Sequence, residues 1–289
     1  MARLARHIVV LSKPRIVVSL VFVAACGMWK AAEGAPSLPV LLAVLLGGAL
    51  AAAGCNAINQ GLDSDIDAAM RRTRTRPVPA AQITQRTAVL LGAAAVGAAV
   101  VAMGLVANWP SALLTLAAAV IYVFIYTVIM KRRSWNNIVI GGAAGALPPL
   151  IGAVAISGEV DAAGLYMFAV VFFWTPPHFW ALSLALKGDY AAARVPMLPV
   201  IASDRTTGSQ IILYIALLIA LSWLPVAGGY AGLLYATTAT VLGLEWLRRS
   251  LPLISDGSAP KALSSFKFSL LYLVGVFLIL ALEPALPGY

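Results

Sequence analysis

The chain has 289 residues, of which 61% are hydrophobic and 11% are charged, with a net charge of +9 and a mean hydropathy of +0.92. That apolar share is far above the share in a soluble domain, and it excludes a water-soluble globular protein. No basic segment carries the interleaved aromatic residues of a nucleic-acid binder. The positive charge therefore indicates membrane orientation and an anionic ligand, with no nucleic-acid partner.

Nine stretches of the chain are apolar over about the 20 residues that a helix needs to cross a bilayer. Glycine and proline inside some of them are tolerated in membrane helices. The sequence therefore predicts an all-α membrane protein, a nine-transmembrane-helix bundle that forms a single integral membrane domain over residues 1–289. The predicted spans are 15–33, 38–60, 87–107, 110–130, 137–157, 162–186, 208–228, 230–247 and 266–286.

The positions of the basic residues test this count. If the N-terminus is cytoplasmic, every Lys and Arg except Lys30 falls in a cytoplasmic segment. The positive-inside rule asks for this bias, and a miscount by one span would scramble it. We therefore expect a multi-pass protein of the bacterial cell (inner) membrane, with the N-terminus cytoplasmic and the C-terminus on the opposite side. The longest connections are also cytoplasmic, so we expect the chemistry to open on that side.

The first polar cluster lies where the second span ends. Asn59, Asp63 and Asp67 are four residues apart and share one helix face, in a chain with only 11 acidic residues. Like charges at that spacing repel unless a cation binds them, and their oxygen atoms suit Mg²⁺. Asp65 lies about 200° around the helix from Asp63, so we expect it to pair with an arginine instead. The alternative is a solvated helix end whose carboxylates compensate nearby arginines.

Basic side chains follow this acidic cluster. Arg72 and Arg76 stand within nine residues of Asp67, together with Arg71 and Arg74, and their guanidinium groups suit phosphate oxygens. The combination predicts a metal–diphosphate site at the membrane surface. Lys131 closes the fourth span and is a further candidate for binding phosphate. The alternative is that the basic triplet 131–133 only anchors the span by the positive-inside rule.

The sixth span contains the next candidate. Pro176 and Pro177 remove two backbone donors and are expected to kink or break the helix. His178 then lies near the freed carbonyls, between Trp174 and Trp180, and an ionisable group at membrane depth is a functional candidate. Two interpretations stay open. His178 is either a catalytic or ligand-contacting residue, or a neutral histidine that bonds to a freed carbonyl.

Asp189 lies about one turn beyond the sixth span, much as Asp63 lies at the end of the second. A carboxylate that faces the first cluster across a cavity would complete a diphosphate clamp bridged by cations. The alternative is a surface loop in which Asp189 pairs with Lys187. Pro196 and Pro199 stiffen the following segment into a cover over the site.

Together these residues resemble the UbiA superfamily of intramembrane prenyltransferases. The spacing Asn-x-x-x-Asp-x-x-x-Asp at the end of the second span is similar to the superfamily's signature. The strings WTPPHFWAL at 174–182 and PMLP at 196–199 resemble its haem branch, and the likeness covers residues 11 to about 207. One departure concerns the second acidic motif, which usually has two aspartates four apart, whereas position 193 here is Ala.

The resemblance implies a helix bundle around a central cavity capped on the cytoplasmic side. It also implies Mg²⁺-dependent transfer of a farnesyl group from farnesyl diphosphate to a vinyl group of haem b. His178 is the candidate haem-facing residue, as an axial ligand of the iron or as the base that orients a water molecule. The implied metal ligands are Asn59, Asp63, Asp67 and Asp189. The implied diphosphate-binding residues are Arg72, Arg76 and Lys131. The implied catalytic residues are Asp63, Asp67, Asp189 and Lys131.

Besides farnesyl diphosphate and haem b, the expected partners are membrane lipid and a downstream haem A synthase or terminal oxidase assembly. Two other functions compete. A UbiA-type enzyme could instead prenylate a quinone precursor or a chlorin. A cation-coupled transporter would use the aspartates differently, but transporters often repeat their broken helices in two halves. Here the second half of the chain repeats the acidic motif only in part, through Asp189, which argues against a transporter. The arginine-rich loops also favour a phosphate ligand over passage of a cation.

Overall fold

A computed structural model describes residues 2–283, with side chains from residue 7 onward. The described residues form helices and no strand. The last residues of the ninth predicted span, 284–286, lie outside them. The helices are α1 (Ala2–Ser12), α2 (Pro14–Ala31), α3 (Leu38–Leu62), α4 (Ser64–Ala69), α5 (Gln85–Val106), α6 (Trp109–Val120), α7 (Asn137–Ser157), α8 (Ala162–Ala185), α9 (Lys187–Ala192), α10 (Leu198–Ile201), α11 (Asp204–Leu221), α12 (Leu224–Ala227), α13 (Leu233–Ser250) and α14 (Ala259–Leu282).

The chain is a multi-pass membrane protein with an all-α fold. Within the described part of the chain, eight helical stretches are long and apolar enough to cross a membrane. Large hydrophobic side chains such as Leu46, Leu105 and Val241 are exposed on the outer surface, as expected for side chains that face lipid. The eighth predicted span, 230–247, corresponds to α13, which is not among these eight stretches and carries charged residues in its last turns, so a count of nine stays a prediction.

The helix α1 was not predicted, because the sequence showed only a short basic segment before the first span. Its last turn is fixed by amide side chains of α3. Gln60 Nε2 donates to the carbonyl of Leu11 at 2.8 Å, and Asn56 Nδ2 donates to the carbonyl of Ser12 at 2.9 Å. These carbonyls have no partner within their own helix, so α3 caps the C-terminus of α1. The next residue, Lys13, has a left-handed backbone with φ 50° and joins α1 to α2.

Small residues let the spanning helices approach closely. A Cβ atom on Gly152 of α7 would collide with the backbone carbonyl of Ala24 in α2, and one on Gly54 of α3 would collide with the carbonyl of Gly92 in α5. Close packing of this kind drives association where lipid removes the hydrophobic driving force between helices. These two contacts join α2 to α7 and α3 to α5.

One helix departs from regular α-helical geometry, and another differs from its prediction. The helix α6 continues as a π-helix over Ile121–Met130, in which the Lys131 N–H bonds to the Tyr126 carbonyl at 2.8 Å. Of the kink or break expected at Pro176 and Pro177, the break is wrong, since α8 runs without interruption from Ala162 to Ala185. The helix packs against α7, α11 and α14, and such neighbours allow a membrane helix to tolerate missing donors.

Candidate active site

The joint between α3 and α4 positions the predicted acidic residues. Asp63 directly follows α3 as its C-cap, and the backbone bonds Asp63 N to Asn59 O (2.9 Å) and Asp67 N to Asp63 O (2.8 Å) continue the helical turn through the joint. The four-residue spacing is therefore preserved, and the three side chains are buried, with 3% (Asn59), 1% (Asp63) and 3% (Asp67) exposed. The helix end is therefore buried, and not solvated as the alternative required.

Each buried carboxylate is paired with a cation. Lys131 Nζ lies 2.5 Å from Asp63 Oδ2. Arg76 Nη1 donates to both oxygens of Asp67, at 2.9 and 2.8 Å. Buried carboxylates need such partners because desolvation of an unpaired charge is costly. Two predicted diphosphate-binding residues therefore lie directly on two predicted metal ligands, so acidic and basic groups form one site.

Asn59 links these groups to a residue that the sequence did not single out. Its Nδ2 donates to Asp63 Oδ2 at 2.6 Å and to Thr127 Oγ1 at 3.1 Å, and its Oδ1 accepts from Lys13 Nζ at 2.8 Å. From the sequence, Lys13 is one of the basic residues expected on the cytoplasmic side.

The donor set of this face fits a hard divalent cation. Among the described residues, Asp63 Oδ1 is buried without a hydrogen-bond partner, and Arg132 Nη2 lies 3.6 Å from it. A buried carboxylate oxygen without a hydrogen bond, beside a second carboxylate, suits Mg²⁺. The Asn59 amide now presents its nitrogen to Asp63 and its oxygen to Lys13, so it would have to turn to serve as a ligand. Within residues 7–283 no three His, Cys, Asp or Glu side chains converge into a metal cluster. A metal ion here would therefore rely on Asn59 and on ligand oxygens in addition to the two aspartates.

Asp65 lies on the opposite face of α4, as its angular position predicts. Its side chain is 65% exposed and forms a two-point ion pair with Arg132, at 2.6 and 2.7 Å. The Arg132 guanidinium lowers the pKa of Asp65 to about 2. Beside this pair lies a cleft of about 260 Å³, lined by Ile66, Ala69 and residues 192–195. The cleft is outside the buried acidic face, and the central cavity stays a prediction.

Asp189 lies in the first turn of α9, half-buried, and it does not join Asp63 and Asp67 in a cluster. Its Oδ1 is 3.4 Å from Arg71 Nε, whereas Lys187 pairs with Asp204 at 2.8 Å, so the alternative pairing of Lys187 with Asp189 is wrong. Arg72 is exposed.

A cluster of buried hydrophobic residues lies between α4 and α9. It brings Ile66 and Met70 together with Tyr190, and burial raises the pKa of Tyr190 to about 12. The segments that follow α3 and α8 therefore belong to one hydrophobic cluster. Asp189 stands one residue before this contact.

His178 is held in α8 by aromatic rings and by one serine. Its ring stacks on Trp174, with the centroids 4.0 Å apart, and lies 4.5 Å from the ring of Phe266. Its Nδ1 is 2.6 Å from Ser269 Oγ of α14. The bond to a carbonyl freed by proline, one of the two interpretations above, is therefore not the bond that the structure shows.

The UbiA prenyltransferase family matches residues 20–273, which include the whole buried acidic face. This chain belongs to the UbiA prenyltransferase family. It is 45% identical over 282 residues to a protoheme IX farnesyltransferase of Thermus thermophilus, covering 97% of this chain and 46% of that protein. It is 46% identical over 283 residues to the protein of that name from Synechococcus elongatus, covering 96% and 88%. The chain thus spans about half the length of the first of these relatives and most of the second.

Solved structures show the same fold at low identity. A structure of digeranylgeranylglyceryl phosphate synthase has a TM-score of 0.79 and 18% identity, covering 98% of this chain and 99% of that one. A UbiA homologue from Archaeoglobus fulgidus bound to GPP and Mg²⁺ has a TM-score of 0.70 and 19% identity, covering 95% and 99%. The helical UbiA architecture is therefore established.

Proposed function

We propose that this protein transfers a farnesyl group from farnesyl diphosphate to a vinyl group of haem b, in a reaction that depends on Mg²⁺. The observation that carries the proposal is the identity of 44–46% over nearly the whole chain to proteins named protoheme IX farnesyltransferase. The buried face of Asn59, Asp63 and Asp67 with its paired cations supports the same chemistry.

Release of diphosphate requires that its developing charge be neutralised. Bound Mg²⁺ would supply a Lewis acid to the diphosphate oxygens, held by Asn59, Asp63 and Asp67. Lys131 and Arg76 already lie on these carboxylates, so they are placed to bind diphosphate oxygens once a metal ion compensates the aspartates. The exposed Arg72 would bind diphosphate, and Asp189 in the first turn of α9 would contact a second cation.

Loss of diphosphate leaves an allylic carbocation that water would quench, so the reaction needs a dry and apolar space. Aromatic side chains of α8 offer walls whose π-faces stabilise a cation. Phe172 packs against Phe168 and Phe173, and Trp180 is fully buried against Tyr214. A vinyl carbon of haem b would then bond to the farnesyl carbon as the bond to diphosphate breaks. Water would add to the resulting cation and release a proton.

His178 is the proposed haem-facing residue, either as an axial ligand or as the base that takes the proton of that water. The proposal also places the protein in the bacterial inner membrane, with the N-terminus cytoplasmic and the C-terminus opposite. Its product would pass to a haem A synthase or to the assembly of a terminal oxidase. The competing acceptors, a quinone precursor or a chlorin, would need the same buried acidic face but a different acceptor pocket.

The decisive experiment incubates the purified protein in nanodiscs with haem b, farnesyl diphosphate and Mg²⁺, and follows the products by mass spectrometry. We expect a hydroxyethylfarnesyl haem and free diphosphate. Parallel reactions with 4-hydroxybenzoate and with a chlorin test the other acceptors. Prenylation of either of these without conversion of haem b would overturn the proposed acceptor. Uptake of a cation into sealed vesicles without any prenyl product would favour a transporter instead.

A further inference from the structure

The hydroxyl of Ser269 has two polar neighbours, and one of them fixes its role. Ser269 Oγ lies 2.6 Å from the backbone carbonyl of Phe266 and 2.6 Å from Nδ1 of His178. A carbonyl oxygen can only accept a hydrogen bond, so the single hydroxyl proton of Ser269 is donated to Phe266. Toward His178 the same oxygen can then only accept.

This assignment determines the tautomer of the histidine. If Ser269 Oγ accepts, Nδ1 of His178 must carry a proton, and in a neutral imidazole the other nitrogen, Nε2, then has a free electron pair. Nε2 makes no hydrogen bond to the residues that the structure describes, and it is not among the enclosed polar atoms that lack a partner. Because His178 is half-buried and Nε2 is not enclosed, Nε2 keeps some solvent-accessible surface.

The position of Ser269 is itself fixed. The side chain is fully buried in α14, and its backbone carbonyl accepts a bond from Trp174 Nε1 at 2.8 Å. Trp174 in turn stacks on the ring of His178. Ser269, Trp174 and His178 thus contact one another between α8 and α14. The stacking on Trp174 fixes the plane of the imidazole ring, and the contact with Ser269 fixes the direction of its Nδ1.

We propose that Ser269 is a positioning residue that keeps His178 as the Nδ1–H tautomer, so that the Nε2 electron pair is available to the iron of haem or to a proton of water. This inference concerns the tautomer and does not itself need prenyl transfer. Its catalytic consequence rests on the proposed function. A partner on the second nitrogen is also how metal-bound histidines are commonly oriented, and removing such a partner costs about 10- to 100-fold in affinity or activity.

The tautomer can be measured directly because the chain has only two histidines. The change His7→Gln leaves His178 as the single ring in protein labelled with ¹⁵N-histidine and reconstituted in nanodiscs. We expect long-range proton–nitrogen spectra to show a protonated Nδ1 and an unprotonated Nε2. In Ser269→Ala, where Nδ1 has lost its acceptor, we expect a shift toward Nε2–H. A protonated Nε2 in the parent protein, or an unchanged spectrum in Ser269→Ala, would overturn the inference.

A matched control separates positioning from folding. Ser265 lies one turn earlier in α14 and is equally buried, but its hydroxyl contacts Trp246 and Ser250. Ser265→Ala should leave the His178 spectrum as it is. In the turnover assay, Ser269→Ala should lower kcat/KM for haem b about 10- to 100-fold while KM for farnesyl diphosphate stays the same. If the tautomer shifts in Ser269→Ala but haem b is not converted even by the parent protein, the proposed function fails and the tautomer assignment stands.

Discussion

Lys131 Nζ and Asp63 Oδ2 lie 2.5 Å apart, although 68 residues separate them in the chain. The lysine comes from the end of the π-helical segment that follows α6, and the aspartate from the joint after α3. Both side chains are nearly buried, so each is the principal counter-charge of the other. The pair joins Lys131, predicted to bind phosphate, to Asp63, predicted to bind a metal ion. Substitution of one residue or of both can therefore separate their effect on stability from their effect on activity.

Lys131→Met should both destabilise the protein and abolish prenyl transfer. The substitution leaves Asp63 buried without its main counter-charge, which costs about 3–5 kcal/mol for a buried pair. The double variant Asp63→Asn with Lys131→Met removes both charges and should recover most of the stability but none of the activity. Thermal unfolding in detergent and product formation measure the two effects. Additive losses of stability in the double variant would contradict the pairing.

Metal removal should stop the reaction. We expect EDTA to inhibit and added Mg²⁺ to restore activity, because the buried oxygen atoms suit a hard cation. Asp67→Asn should lower kcat by about 100-fold or more, since it weakens one of few carboxylate ligands. The control is Asp65→Asn, two residues away on the exposed face, which should stay close to the parent rate. Equal losses in both variants would show that the buried face has no special role.

Lys13→Gly should separate charge from backbone conformation. The left-handed backbone of Lys13 costs free energy that glycine does not pay, so the variant should keep or gain about 1 kcal/mol of stability. It nevertheless removes the ammonium group that lies on Asn59, and affinity for farnesyl diphosphate should fall.

Ala81→Gly is the matched control for Lys13→Gly, because Ala81 has φ 57° at an exposed site away from the acidic face. It should show the same change in stability with no change in affinity. Isothermal titration measures the affinity, with a farnesyl diphosphate analogue whose bond to diphosphate cannot break. Unaltered binding by Lys13→Gly would remove Lys13 from the site.

Gly152→Ala should lower stability by about 1–3 kcal/mol, because the added methyl group meets the backbone carbonyl of Ala24. Gly145→Ala in the same helix meets nothing within 4 Å and should be neutral or slightly stabilising. Melting temperatures of the two variants in the same detergent compare them. A loss in Gly145→Ala as large as in Gly152→Ala would indicate a general intolerance of α7 rather than a close helix contact.

Periodicity predicted the parts of this protein that depend on local sequence. The apolar stretches gave the spanning helices, and the four-residue spacing placed Asn59, Asp63 and Asp67 on one buried face, because a helical turn continues through the joint. The same angular argument correctly placed Asp65 on the other side, paired with Arg132. These are properties of a single helix, and a single sequence contains them.

Contacts between distant segments could not be predicted in this way. The bond from Lys13 to Asn59 depends on where α1 packs, and α1 is too short to show as a span. The partner of His178 is a serine 91 residues away, whereas local reasoning offered only the carbonyls freed by the prolines. Asp189 resembled Asp63 by position, yet its ion pair is with Arg71, because that side chain reaches it from the loop after α4.

The π-helical stretch Ile121–Met130 determines the direction in which the following side chain, Lys131, points. Each residue of this wider coil turns the chain by less than the roughly 100° of an α-helix, so side chains at its end point in another direction than regular winding would give. The direction of the Lys131 side chain toward Asp63 therefore depends on the π-helical geometry of the ten residues before it. A one-residue deletion there would re-aim the ammonium group while leaving every polar side chain of the site in the sequence.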